Sequence, residues 1–172
     1  MDFYELIKNR ESVRNYNPDK QIDQSILERI LEAGRLAPSG ANLQPWKFII
    51  VSSPQILSNL RQVTGSAWFS KAPHVLAVIA NNRETEMRNR FGNDTIETDL
   101  AITMTHMLLA AEWEGVSACW IGAFNSDIAA QALKLDKDQY VYALASLGYP
   151  PKGFEKHGRK QRKSFEEVVT FL

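Results

Sequence analysis

The sequence predicts a mixed α/β or α+β layer structure, with a few-stranded sheet covered by helices. The prediction rests first on the order of elements. Helical and strand patterns alternate along the chain, but irregularly, without the repeated βαβ units of a doubly wound nucleotide fold. It rests next on Val75 to Ala80 (VLAVIA), an unbroken apolar run with the β-branched content of a strand buried on both faces. The last support is the stretch from Ile96 to Glu114. Its Ile96, Leu100, Met104, Met107, Leu108 and Ala111 step by three and four, as a long packed helix requires.

In chain order, Asp2 caps a short helix to Asn9 that puts Phe3, Leu6 and Ile7 on one face. Arg10 to Tyr16 reads as extended, so Arg10, Ser12 and Arg14 share a side. Asn17-Pro18-Asp19 marks a turn. Asp23 caps a second helix to about Ala37, with Ile26, Leu27, Ile30, Leu31 and Gly34 as its apolar face. Pro38-Ser39-Gly40 stops it. Lys47 to Val51 is a strand, and Ser53-Pro54 opens a helix through about Val63. After the buried strand, Asn81 to Asp94 is polar and charge-mixed and reads as a surface loop. Gly115 ends the long helix, and a strand with a following turn covers Val116 to Phe124. Ser126 caps a short helix to Leu133, and Tyr140 to Leu147 is a further strand. Lys152 to Lys163 carries six Lys or Arg against one Glu. With no repeat, low-complexity tract or dividing linker, residues 1–172 are expected to form a single domain.

Composition narrows the function classes. A chain 44% hydrophobic and 23% charged folds as a globule rather than staying disordered. Its formal net charge of zero argues against a general nucleic-acid binder. The basic tail is one short patch, flanked only by Phe154 and Phe165, and lacks the interleaved aromatics of a stacking surface. Cys119 is the only cysteine, which excludes an intrachain disulfide and a cysteine-based zinc site, and it reads as a small core residue. The N-terminus has no signal-peptide pattern, and no apolar run is long enough to span a membrane. A cytoplasmic protein without a membrane, nucleic-acid or metal partner is the expectation. There is no G-x-G-x-x-G, Walker A loop, H-E-x-x-H or G-x-S-x-G. His74 and His106 read as packed, hydrogen-bonded histidines, and His157 as a solvated one. The Asn93-Asp94-Thr95 sequon reads as chance.

Several segments suggest chemistry. Arg10, Ser12 and Arg14 on one edge could hold a phosphate, since guanidinium groups pair with phosphate oxygens through parallel hydrogen bonds; the plain alternative is a charged helix end. Pro38 to Trp46 (PSGANLQPW) combines a hydroxyl, two amides and Trp46 between a helix and a strand. Its amides can read the edge of a heteroaromatic ring, or can simply cap a rigid turn. Gly122, at the end of a buried strand, lets a ligand approach the backbone closely, or marks a bulge. Lys160 and Arg162 repeat the period-two spacing of the N-terminal cations.

Taken together, these segments resemble the nitroreductase family of flavoenzymes. The resemblance is carried by Arg-x-Ser-x-Arg, by APSGANLQPW, by the long helix before CWIGAF, by LGYP, and by K-x-R before FEEVV. It runs in order from about Phe3 to Val169. It implies an α+β fold of three layers, with a central, mostly antiparallel sheet flanked by helices, in an intertwined homodimer that binds FMN non-covalently. By position, Arg10, Ser12 and Arg14 would hold the phosphate and ribityl end, joined by Lys160 and Arg162. Ser39, Gly40 and Asn42 would come from the partner subunit. The Ile121-Gly122 backbone would sit beside the isoalloxazine, and the long helix would form much of the dimer interface.

The implied activity is a ping-pong oxidoreductase reaction. NADH or NADPH would pass hydride to flavin N5, and a small organic acceptor such as a nitroaromatic or quinone would then be reduced. No protein side chain is expected to act as a catalytic acid or base, because the flavin carries the hard step. A reductive dehalogenase, a dehydrogenase or a flavin reductase on the same scaffold is the nearest alternative, and a non-catalytic flavin-binding protein is the alternative from another class. The chain departs from longer family members in lacking a helical excursion before CWIGAF, so Trp68-Phe69 or the loop from Asn81 to Asp94 are the candidates to cover the flavin. Glu11 stands where a basic or imidazole residue is frequent, and Ile121 where some members carry an acid.

Overall fold

The computed structural model describes residues 1–81, 96–158 and 160–172. Apart from Asn81, the expected surface loop and the sequon lie outside the described residues.

Helix α1 (Phe3–Asn9) starts where expected. Asp2 Oδ1 accepts from the Glu5 N–H at 2.8 Å, and Glu5 Oε2 accepts from the Asp2 N–H at 2.9 Å. This reciprocal capping box satisfies two N–H groups that the first turn leaves open. Of its expected apolar face only Leu6 is buried; Phe3 and Ile7 remain exposed. Helix α2 (Gln24–Arg35) buries Leu27, Ile30 and Gly34. Asp23 occupies its N-cap position and its carbonyl accepts the first helical bonds from Ile26 and Leu27, but its side chain makes no capping bond.

The sheet is antiparallel throughout, in the order β1-β2-β4-β3, with β1 Lys47–Val51, β2 His74–Asn81, β3 Ser117–Ile121 and β4 Gln139–Gly148. Alternation along β2 separates two cores. Leu76, Val78 and Ala80 face α2 and helix α4 (Ile96–Trp113), joined by Leu100, Met104 and Met107. Val75, Ala77 and Ile79 face the other way, toward Leu60 of helix α3 (Pro54–Leu60), Phe69, and Ala129 of helix α5 (Ser126–Leu133). Because β2 is covered on both sides, its run carries no polar alternation. The result is the three-layer α+β arrangement that the family resemblance implies. Asn125, one residue before the expected Ser126, caps α5, its Oδ1 accepting from Ile128 N–H at 3.0 Å.

The close approach of α2 and α4 depends on Gly34. A Cβ there would lie 2.6 Å from Met107 Cγ, and the Gly34 carbonyl accepts from Thr103 Oγ1 at 2.7 Å. The expected hydrogen-bonded packing of His74 and His106 is found. His106 Nδ1 lies 3.2 Å from the Ala33 carbonyl, and buried His74 accepts from Ile22 N–H through Nε2 at 3.1 Å. Residues 152–163 lead to a short helix α6 (Phe165–Val168) with its own Ser164–Glu167 capping box.

Candidate functional site

The site begins at the free edge of β3. Val13 N–H donates to the Ala118 carbonyl at 3.0 Å, and Ser12 bridges Ala118 in parallel register. The N-terminal segment therefore runs along that edge, with Val13 buried and Ser12 and Arg14 turned outward. Tyr16 anchors it from behind. The Tyr16 hydroxyl lies 2.6 Å from the Val13 carbonyl and 2.7 Å from Ser146 Oγ on β4. Burial pushes the Tyr16 phenol well above its ordinary value, so it stays protonated.

The tail after β4 returns to this segment. Arg10, Glu11 and Ser12 together with His157, Lys160, Gln161 and Arg162 line one cavity of about 380 Å³. Arg10, Ser12, Lys160 and Arg162, singled out from opposite ends of the sequence, thus meet in space. Burial, and the guanidinium groups of Arg10 and Arg162, hold the Lys160 ammonium below its usual value, with Glu11 and Glu112 acting in the opposite sense. Positive charge is concentrated there, which suits an anion.

The tail is fastened at several points. Glu11 Oε1 accepts from His157 N–H at 3.0 Å and Glu11 Oε2 from Gly158 N–H at 3.1 Å. Lys156 pairs with Glu112 and donates to the Asn9 carbonyl at 3.2 Å. Lys160 donates to the Lys8 carbonyl at the end of α1, where the helix dipole favours a cation. Sequence reading missed Glu11 as a fastener; its backbone partners lie almost at the other end of the chain, and no local pattern announces them.

Arg14 does not line this cavity. Its guanidinium carbon stands 5.7 Å from the centre of the Trp68 ring, a cation–π arrangement on the same strand edge. Burial raises the Cys119 thiol above its ordinary value, against the opposing pull of the Arg14 guanidinium charge. Cys119 is thus the core residue expected. Phe69 is buried in the second core, so only Trp68 of the expected covering pair is available at the site.

A second recess, of about 170 Å³, adjoins through Arg10 and is lined also by Thr105, Leu108, Leu109 and Trp120. Polar and apolar recesses thus share Arg10. Trp120 belongs to the CWIGAF segment, Leu108 carried only helix periodicity, and Thr105 and Leu109 carried no signal in the sequence. At the end of β3 Ile121 is buried and pairs with Leu144 of β4, while Gly122 is exposed. A Cβ on Gly122 would meet nothing nearer than Trp120 Nε1 at 3.6 Å, so the space above it is open.

Ser39, Gly40 and Asn42 stand apart from the cationic cavity, in the connection between α2 and β1. Ala41, Asn42 and Gln44 all take positive φ, at 48°, 58° and 53°. Non-glycine residues hold that conformation only when neighbours impose it. Here buried Asp99 of α4 accepts from the Gly40 N–H at 3.0 and 3.1 Å, and Ser39 Oγ accepts from Gln44 N–H at 2.9 Å. The role of Asp99 is a second contribution that the sequence did not announce.

Known proteins match this architecture. The family model described as the nitroreductase family matches residues 7–72 and 59–149. A nitroreductase family protein from Clostridium difficile 630 superposes with a TM-score of 0.87 at 28% identity, covering 99% of this chain and 98% of that one. An FMN-dependent nitroreductase from Clostridium difficile R20291 superposes with a TM-score of 0.83 at 26% identity, covering 98% of each chain. An NADPH-dependent oxidoreductase of Staphylococcus aureus MRSA252 is 25% identical over 96% of this chain and 71% of its own length. The order of elements, the antiparallel three-layer sheet and the extent of the family match lead to one assignment: this chain belongs to the nitroreductase family.

Proposed function

We propose that this oxidoreductase binds FMN non-covalently and uses it to move reducing equivalents from NADH or NADPH to a small organic acceptor, such as a nitroaromatic or a quinone. The observation that carries the reading is the meeting of Arg10, Ser12, Lys160 and Arg162 around one cavity. That donor set fits a phosphate monoester: two guanidinium groups, an ammonium and a hydroxyl offer only donors or neutral groups to its oxygens. Arg14 would add charge from its seat beside Trp68. The adjoining recess at Leu108, Leu109 and Trp120 supplies apolar surface next to the phosphate site, as an amphiphilic cofactor needs.

When bound, FMN supplies the hydride-accepting and hydride-donating centre. The chain's own residues bind and orient. Arg10, Ser12, Lys160 and Arg162 hold the phosphate, Gly122 leaves room for close approach, and the Ile121-Gly122 backbone borders the ring. Ser39, Gly40 and Asn42 serve the site of the partner subunit in a homodimer. NAD(P)H and the acceptor take turns at the same open face, which gives a ping-pong order. No side chain is assigned as acid or base.

The dimer reading has its own support. Phe3, Leu36 and Trp113 are exposed around a groove of about 550 Å³ that Leu6, Ala33 and Leu109 also line. An exposed apolar surface of this kind, bordered by the Arg29–Glu114 ion pair, supports an interface there. We assign the homodimer, formed from single domains of residues 1–172, to the cytoplasm; among the described residues no helix is long and apolar enough to cross a membrane.

The test is the visible absorption spectrum of the purified protein, before and after anaerobic NADH and then NADPH. A flavin spectrum that bleaches with either nucleotide is expected. A flavin that neither bleaches would make this a flavin-binding protein or the user of another donor. No flavin, and none taken up from added FMN, would overturn the reading.

A further inference from the structure

Among the described residues, Glu11 is the one carboxylate that lines the cationic cavity. By charge alone it opposes an anion there. Its geometry argues for a different part. Both carboxylate oxygens are engaged by the tail backbone, one by His157 N–H at 3.0 Å and the other by Gly158 N–H at 3.1 Å. Those two residues immediately precede the stretch that carries Lys160 and Arg162 into the cavity. A carboxylate that accepts two backbone N–H bonds has much of its charge compensated at once. We propose that Glu11 is a positioning residue, a latch that holds the tail so that Lys160 and Arg162 face Arg10 and Ser12, and that anion affinity in this cavity depends on the latch. The inference rests on the phosphate-site reading given above and assigns it a residue that touches no phosphate.

The sign of the effect separates the latch from simple electrostatics. Removing a negative charge from a cationic cavity should tighten an anion if Coulomb forces decide. Removing a latch should loosen it. Glu11→Gln keeps one acceptor but sets its amide N–H₂ against a backbone N–H; Glu11→Ala removes both acceptors.

The experiment compares FMN with riboflavin, which lacks the phosphate, by fluorescence titration of flavin-free wild type, Glu11→Gln and Glu11→Ala. Trypsin cleavage between Lys156 and Lys163 is followed in the same flavin-free samples, and circular dichroism checks that each variant is folded. For Glu11→Ala we expect FMN affinity to fall on the order of tenfold or more, with a smaller fall for Glu11→Gln. Riboflavin affinity stays unchanged, and tail cleavage accelerates in the same order. Tighter FMN binding by Glu11→Gln overturns the latch in favour of charge repulsion. Faster tail cleavage with unchanged FMN affinity overturns the dependence of the cavity on the tail. Equal loss for FMN and riboflavin reduces Glu11 to a general stabilising role and also overturns it. A wild type that binds riboflavin as tightly as FMN overturns the phosphate site itself. That result is distinct from the others because it appears without any substitution.

Discussion

Arg14 and His74 illustrate how far a single side chain is determined by its surroundings. Arg14 belongs to the N-terminal cationic stripe but stands over Trp68, outside the cavity that Arg10 lines. Arg14→Ala should therefore weaken FMN binding less than Arg10→Ala, leave the fold intact, and change the fluorescence of Trp68. Equal losses in a side-by-side titration would show that both guanidinium groups meet the phosphate. His74 must be neutral, because Nε2 accepts from the Ile22 N–H; Nδ1 then carries the proton shared with Ser52 Oγ at 2.7 Å. Burial holds its pKa below the ordinary value. The unfolded chain takes up a proton near pH 6.5, where the folded chain resists it. The contribution to stability is thus present above that pH and is lost as pH falls toward and through the lowered folded value. Urea midpoints measured from pH 7.5 downward should decline, and His74→Gln should flatten that decline.

At the scale of elements, the α2–α4 crossing has little room for change. Its contact is set by Gly34 against Met107 and Thr103. Gly34→Ala places a methyl group inside the distance of a normal contact with the methionine side chain. The flexible thioether yields in part, so a destabilisation of about 1–3 kcal/mol is expected, read from urea unfolding with m unchanged. A midpoint equal to wild type would mean that Met107 moves without cost. Most elements were legible beforehand, for local reasons. The VLAVIA strand, the α4 period, the α1 cap and the Gly115 stop depend on neighbours in sequence. The misplaced details depend on packing. Ile7 and Phe3 have the spacing of a buried face, yet α1 lies at the rim of the molecule and only Leu6 reaches the core. Phe69 was as plausible a cover for the site as Trp68, but the second core takes it.

At the scale of the whole molecule, the exposed apolar groove between α1, α2 and α4 predicts association. Trp113→Lys should shift the protein from dimer to monomer in light scattering and reduce FMN uptake with it, since Ser39, Gly40 and Asn42 would be lost from the partner's site. A monomer with full FMN would rule out the shared site. By itself, the sequence determined a layered fold of mixed α/β or α+β class, the two cationic ends and the Pro38–Trp46 connection, because periodicity, turn chemistry and residue type are local properties; the choice of α+β came with the family resemblance. Only the tertiary structure decided that Arg14 stands outside the cavity that Arg10 and Ser12 share with Lys160 and Arg162, that Glu11 binds the backbone of His157 and Gly158, and that buried Asp99 holds Gly40. Those contacts join residues far apart along the chain. Their energy comes from hydrogen bonds and charges that form only after the sheet and its two helical layers have packed, so no local pattern encodes them.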